Sequence, residues 1–446
     1  MDVGALNETA IIAKSPNGEG NPDVVSFARA GSRLVRRVRR TSGSIIETDA
    51  GSAPLNEDAD LAAAADANWL RLKKSPEFSV SSGDAVTIVD LFAGCGALTL
   101  GALEAARVLG LRVVLSGAAD SDQSPLDVMR TSLDLPKTSV QRINLEEALD
   151  GHLGAPVTSR EREFLEGLSD ISPSLLLAGP PCQGHSPLNN HTRHDDDRND
   201  LYLRVVRYAE LSRPRYCLIE NVGTVMRDQR QAVERAIEHL SSLGYQVDHS
   251  VIPLNQLGVP QKRRRHILVA AAEGEQAFEV NTVLKRHSAG EVRTVEWAIG
   301  DLEDTEPTTP FDQASHPSAA NALRMNLLHQ NDWDDLPNEH RPDCHRLPKT
   351  GPTGELREHT YKSMYGRLRW DQPAQTVTSG YGSMGQGRYV HPSRPRTLTP
   401  HEAARLQFFP DFYRFDVIPQ RKKWATMIGN AAPMRLSFAF ALEILR

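Results

Sequence analysis

The stretch VTIVDLFAGCGALTLG, Val86 to Gly101, reads as a β-branched strand that runs through a glycine turn into a helix-forming segment. Gly94 and Gly96 let the chain turn tightly and let a ligand approach backbone N–H groups. Further along, the same unit recurs. VVLSGAAD ends in Asp120, SLLLAG ends in Gly179 and YCLIEN carries Glu220, with helical patterns such as Ala102 to Leu109 and Leu201 to Leu211 between the strands. This alternation predicts an α/β fold with a mostly parallel sheet. Ligands in such sheets sit beyond the carboxyl ends of the strands, which is where each of these polar residues falls.

A glycine turn after a strand serves equally well as a plain connector. Asp120 gives this one a use, because a carboxylate about 25 residues on can accept both hydroxyls of a ribose. Leu98 stands where a dinucleotide fingerprint has its third glycine, so the pocket suits a nucleoside without phosphates. Cys95, inside the turn, reads by residue type as a small buried or loop thiol.

The chain has 446 residues, 39% of them hydrophobic and 24% charged, which fits a globular protein of more than one domain. No run approaches the roughly 18 apolar residues of a membrane span, and the opening MDVGALNETAIIAKS lacks a signal pattern. The expected location is the cytoplasm. Four cysteines, Cys95, Cys182, Cys217 and Cys344, are too few to staple the chain and are expected as free thiols. A net charge of −6 excludes a uniformly basic coat but leaves room for a local basic groove.

Four segments are expected. Residues 1–83 form a partly flexible extension with five arginines between Arg33 and Arg40 and a helix within Asn56 to Lys74. Residues 84–303 form the catalytic domain. After HILVAAA the sequence turns irregular and rich in Pro, His and Asp, and 304–400 is expected as a small separate domain. Residues 401–446 return to the first domain through an apolar C-terminal helix that has a proline near its start.

SLLLAG continues into GPPCQGHS, so Cys182 ends a buried strand in a loop stiffened by Pro180 and Pro181. By itself it fits an inert buried thiol. Glu220 changes that reading, because a carboxylate after the apolar Leu218 and Ile219 is costly to hold without a task.

Six motifs in order, DLFAGCG, GPPCQGHS, ENV, GVPQKRRR (Gly258 to Arg265), RLRWDQPAQTVT (Arg367 to Thr378) and IGNAAP (Ile428 to Pro433), resemble those of the DNA cytosine-5 methyltransferase family across residues 86–446. The resemblance implies a class I S-adenosylmethionine-dependent methyltransferase fold with a small target-recognition domain. It implies Cys182 as a nucleophile toward carbon 6 of a flipped cytosine, Glu220 as the acid at N3, and Arg263 and Arg265 as holders of the base and nearby backbone. The implied S-adenosylmethionine shell comprises Phe92, Gly94, Gly96, Asp120, Ser121, Asn144, Leu145, Pro180 and Asn430, and Cys95 is counted with it. Two positions depart from the family pattern. Asn144 stands where an aspartate often faces the adenine, and Ala97 follows Gly96.

Target choice is expected from the variable region between the GVPQ and RLRW motifs. HRPDCHRL, with His340, Cys344 and His345, matches no zinc spacing and is expected as solvent-facing loop. The loop SGYGSMGQGRY (Ser379 to Tyr389) fits either a DNA-backbone contact or a connector, and the N-terminal arginines fit either phosphate contact or a basic tail. Duplex DNA is the expected partner, with a restriction endonuclease as a further one. Two other readings stand beside it: a methyltransferase of tRNA, and an inactive DNA-binding member of the family.

Overall fold

A computed structural model describes residues 24–78, 85–168, 172–181, 201–346 and 364–446. Cys182 lies outside them. The N-terminal segment is a meander in which β1 (Val25–Ala30), β2 (Arg33–Arg39) and β3 (Ile45–Ser52) pair antiparallel in that order. Leu34 and Val38 point inward and are fully buried, and Arg36 lies buried between them. A period of two is present, but an arginine fills its middle position and hides the strand. Arg36 meets Glu104 at 2.8 Å, Arg37 meets Glu47 at 2.8 Å, Arg33 pairs with Asp49 and Arg40 donates to the Leu109 carbonyl. Four of the five arginines thus have partners within the chain.

After the meander come α1 (Leu61–Leu70), β4 (Ala85–Leu91), α2 (Ala97–Val108), β5 (Arg112–Asp120), α3 (Gln123–Ser132), β6 (Val140–Arg142), α4 (Leu145–Ala148), α5 (Ser159–Glu166), β7 (Leu175–Ala178), α6 (Leu201–Ser212), β8 (Tyr216–Val222), α7 (Ala232–Ser242), β9 (Gln246–Pro253) and β10 (Arg264–Ala271). Asp60 caps α1 by accepting from the Ala63 N–H at 3.0 Å. The seven strands from β4 to β10 form one sheet in the order β6-β5-β4-β7-β8-β10-β9. It is parallel from β6 to β8, and β10 runs antiparallel to both its neighbours. Apolar layers cover both faces, one built around α2 and the other around α6 and α7. This is the Rossmann-like arrangement implied by the resemblance. From β4 the chain steps outward through β5 and β6 and then returns to the far side of β4 as β7, which leaves a crevice at the carboxyl ends of β4 and β7.

The remainder comprises α8 (Val280–Arg286), α9 (Val295–Ile299), α10 (Ala319–Gln330), β11 (Gly366–Arg367), β12 (Arg388–Val390), α11 (Pro400–Leu406), α12 (Arg421–Asn430) and α13 (Met434–Leu445). Met325, Leu328, Leu336, Tyr365, Met384 and Val390 form a small core of their own. In α10 only Met325 and Leu328 are buried, a stripe too thin to announce a helix in the sequence. His345 shares a hydrogen bond of 2.8 Å with the Tyr365 hydroxyl, and His340 lies against Trp333. Both histidines therefore pack on aromatic rings, where the sequence suggested solvent-facing loop. The C-terminal helix α13 packs on α2, and a Cβ at Gly101 would collide with Ser437 and the Met434 carbonyl.

His401 on α11 fastens this part together. Its Nδ1 faces Asp312 and its Nε2 faces Asp411, each at 2.9 Å, and Asp411 also pairs with the buried Arg405. The flanking carboxylates hold His401 above its ordinary pKa of 6.5 despite the opposing effect of burial. A histidine raised in the folded state contributes stability that is full below 6.5 and is lost as pH rises through the raised value. The melting temperature is expected to fall as pH rises above 6.5, and in His401→Gln this alkaline fall should shrink, as measured by thermal denaturation across pH.

Candidate functional site

Strand register sets the level of the site. Leu91 of β4 pairs with Ala119 of β5 and with Ala178 of β7, and Ala178 pairs with Ile219 of β8. The next residue on each strand is therefore Phe92, Asp120, Gly179 and Glu220, one row of four at the carboxyl edge of the sheet. Phe92, Gly94 and Gly96 all take positive φ, of 57°, 54° and 79°. At Gly94 a Cβ would meet nothing within 4 Å, so the turn opens onto space. At Gly96 it would collide with Met129 of α3.

Asp120 faces that space with both oxygens fixed. One accepts from the Gly94 N–H at 2.9 Å and the other from the Asp122 N–H at 3.0 Å. Burial holds its carboxyl above the ordinary range, and these amides partly oppose the effect. A carboxylate oriented in this way retains lone pairs for a diol. The backbone cradle, the open space and the carboxylate together fit an adenosyl group. Leu98, where a phosphate-binding turn would have glycine, is buried and comes within reach of Gly179, closing the route a pyrophosphate would take.

Glu220 is 8% exposed, and Arg265 of β10 holds its Oε1 through Nε at 2.5 Å. The guanidinium also donates to the Arg264 carbonyl at 2.8 Å. A Cβ at Gly179 would stand 3.7 Å from Glu220 Oε2 and 3.9 Å from the Phe92 carbonyl, so a missing side chain leaves the acid and the turn facing each other. Asn221, not singled out from sequence, points to the opposite sheet face and donates to the Pro180 carbonyl at 3.3 Å. It fixes the start of the loop that carries Cys182. Asp90 was also missed: it is fully buried and accepts from Thr99 at 2.6 Å. Burial, with Asp120 nearby, pushes its carboxyl up to about 7.

Several expected residues stand elsewhere. Arg263 is buried and donates to the carbonyls of Val377 at 2.9 Å and Gly429 at 3.3 Å. It braces α12 against the strand-like segment before the glycine-rich loop. Cys95 points its thiol to the Met427 carbonyl at 3.8 Å, and burial pushes that thiol up to about 12. Its own carbonyl accepts from the Tyr413 hydroxyl, so its side chain belongs to the core. Asn144 caps α4, accepting from the Glu146 N–H at 3.2 Å and donating to Glu147 at 2.7 Å. Leu145 packs into the core beneath it. Ser121 and Asn430 are exposed beside the turn and at the end of α12. Among the described residues no helix is long and apolar enough to cross a membrane.

Residues 86–446 match the family described as C-5 cytosine-specific DNA methylase. Type II methyltransferase M1.BsuMI of Bacillus subtilis is 40% identical, over 99% of this chain and 99% of its own length. Type II methylase M.HgiDII of Herpetosiphon aurantiacus is 30% identical over 80% of this chain and 95% of its length. The crystal structure of the S. pombe Dnmt2 methyltransferase superposes with a TM-score of 0.54 at 17% identity, covering 81% of this chain and all of that one. It shares the fold.

Proposed function

The chain belongs to the C-5 cytosine-specific DNA methylase family, and on that premise we propose that Cys182, Glu220 and Arg265 carry out its reaction on a flipped cytosine. The protein is a DNA (cytosine-5-)-methyltransferase that uses S-adenosylmethionine. The observation that carries the residue assignment is the row at the sheet edge. It sets a carboxylate held by Arg265 across Gly179 from a nucleoside cradle, at the level where the Cys182 loop begins.

When bound, S-adenosylmethionine supplies the methyl group that carbon 5 receives. Asp120 would hold its ribose, and the backbone from Phe92 to Gly96 would pass close to it. Cytosine carbon 5 is a weak nucleophile, and addition of the Cys182 thiolate to carbon 6 turns the ring into an enamine that reacts at carbon 5. Charge that develops on the ring is met by a proton from Glu220 at N3; once carbon 5 carries the methyl group, loss of its proton to a base and departure of the Cys182 thiolate from carbon 6 restore the ring and free the enzyme. Arg265 keeps the carboxyl oriented, and Asn221 anchors the prolyl loop. Stacked duplex bases are out of reach, so the target must swing out of the helix. Residues 84–303 would then be catalytic, 304–400 would read the target sequence, and 401–446 would close the fold. A role in restriction and modification, alongside an endonuclease in the cytoplasm, completes the reading.

Methyl-labelled cofactor is expected to mark duplex DNA and not total tRNA. Label entering tRNA alone would overturn the choice of substrate, and bisulfite sequencing of methylated DNA would read out the recognition sequence.

A further inference from the structure

A second polar cavity, of about 470 Å³, lies between the glycine-rich loop and the start of α12. Its walls include the hydroxyl-bearing Ser315, Ser379 and Ser383 together with Arg421 and Lys422, and among the described residues no acidic one lines it. The helix end there is electrostatically inverted. Gln420 at the cap makes no side-chain hydrogen bond to the first turn, that turn holds no acid, and Arg421, Lys422 and Lys423 fill it. Cations at the positive end of a helix dipole are unfavourable, and the uncapped N–H groups favour an anion.

The three cations differ in what they meet. Lys423 is engaged by Ser124 and lies 3.8 Å from Asp122. Arg421 is partly buried and donates to the carbonyls of Gln313 at 2.8 Å and Pro310 at 3.4 Å, with no carboxylate on it among the described residues. Burial lowers its pKa below the ordinary value. Lys422 is exposed and makes no ion pair among the described residues. Tyr381, also in the wall, is 3% exposed and its hydroxyl has no hydrogen-bond partner among the described residues. Charge and donors thus converge on a space with no counter-charge.

The position ties the cavity to the reaction. A Cβ at Gly429 would collide with the backbone of Thr378 and Ser379, so the loop that walls the cavity rests on the far end of α12, beside Asn430. We propose that this cavity binds a phosphodiester group of the DNA substrate, with Lys422 and Arg421 as the cations and the serine hydroxyls as neutral donors. The proposal rests on the DNA-methylating reading of the site.

The test measures duplex DNA binding by the full chain across a salt series, for the parent, Lys422→Gln and Lys422→Arg. Loss of one phosphate contact lowers the slope of log Kd against log salt by about 0.9 and weakens binding roughly eightfold at 0.1 M salt. Lys422→Gln is expected to show both changes, and Lys422→Arg to restore the slope. Unchanged cofactor binding in each variant reports an intact fold. An unaltered slope in Lys422→Gln overturns the proposal. If that variant instead loses only stabilisation by millimolar inorganic phosphate, the cavity serves a free anion and the DNA assignment falls. Methylation of the same duplex by the parent is measured in parallel, so that failure of the DNA reading itself is seen separately.

Discussion

Cys182→Ala is expected to lower methyl transfer by roughly 10⁵-fold or more while cofactor affinity stays within about twofold of the parent. The two effects are expected to separate because the groups assigned to the cofactor, Asp120 and the Gly94 turn, are held by each other and by Asp122. No described thiol can take over the task. Cys95 is 4% exposed with its pKa pushed up to about 12, and Cys217 is fully buried on β8 with its thiol likewise pushed up by burial. Transfer of label from the cofactor to duplex DNA, beside calorimetry of cofactor binding, checks both halves. Activity retained in the variant would place the nucleophile elsewhere.

Glu220→Gln is expected to reduce kcat by about 10²- to 10⁴-fold. Glutamine preserves the shape and still offers an oxygen to Arg265, which now holds the carboxylate at 2.5 Å, but it cannot release a proton to N3. The loss should therefore fall on kcat, with KM for DNA little changed. A change confined to KM would make Glu220 a binding group and remove it from the chemistry. Single-turnover rates on duplex DNA decide between these outcomes.

Much of this site was legible from sequence because it is built on strand ends. A short apolar run ending in a polar residue marks the edge of a buried sheet, so Asp120, Gly179 and Glu220 could be placed before any coordinates. At other positions named from the sequence the side chain turns away from the edge. Arg263 and Arg265 sit two apart in one motif, yet one braces carbonyls in the interior and the other holds Glu220. Cys95 lies inside the cofactor turn but points into the core. Asn144 spends its amide on capping a helix, an ordinary use for asparagine that spacing alone cannot exclude. Asn221 was missed because a hydrogen bond to a carbonyl 41 residues earlier in the chain leaves no local trace.

The meander failed for a related reason. Its inward row reads Leu34, Arg36, Val38, and a buried arginine becomes acceptable only through Glu104, far along the chain. Propensity and alternation describe neighbours in sequence, whereas this strand is licensed by a partner on another element. The small core around Met325 and Tyr365 shows the same limit, since its members come from four short pieces with thin apolar stripes.

The closure of α13 over α2 bears on how the protein is made. Thr41, just after β2, bonds the carbonyl of Arg446 at 2.8 Å, a link between residues 405 apart. During synthesis the meander and α2 emerge before α13, and the surface they share with it stays open to water until α13 follows. The nascent chain therefore carries an uncovered apolar face while the residues between α2 and α13 are made, a stage at which chains of this size are prone to aggregate.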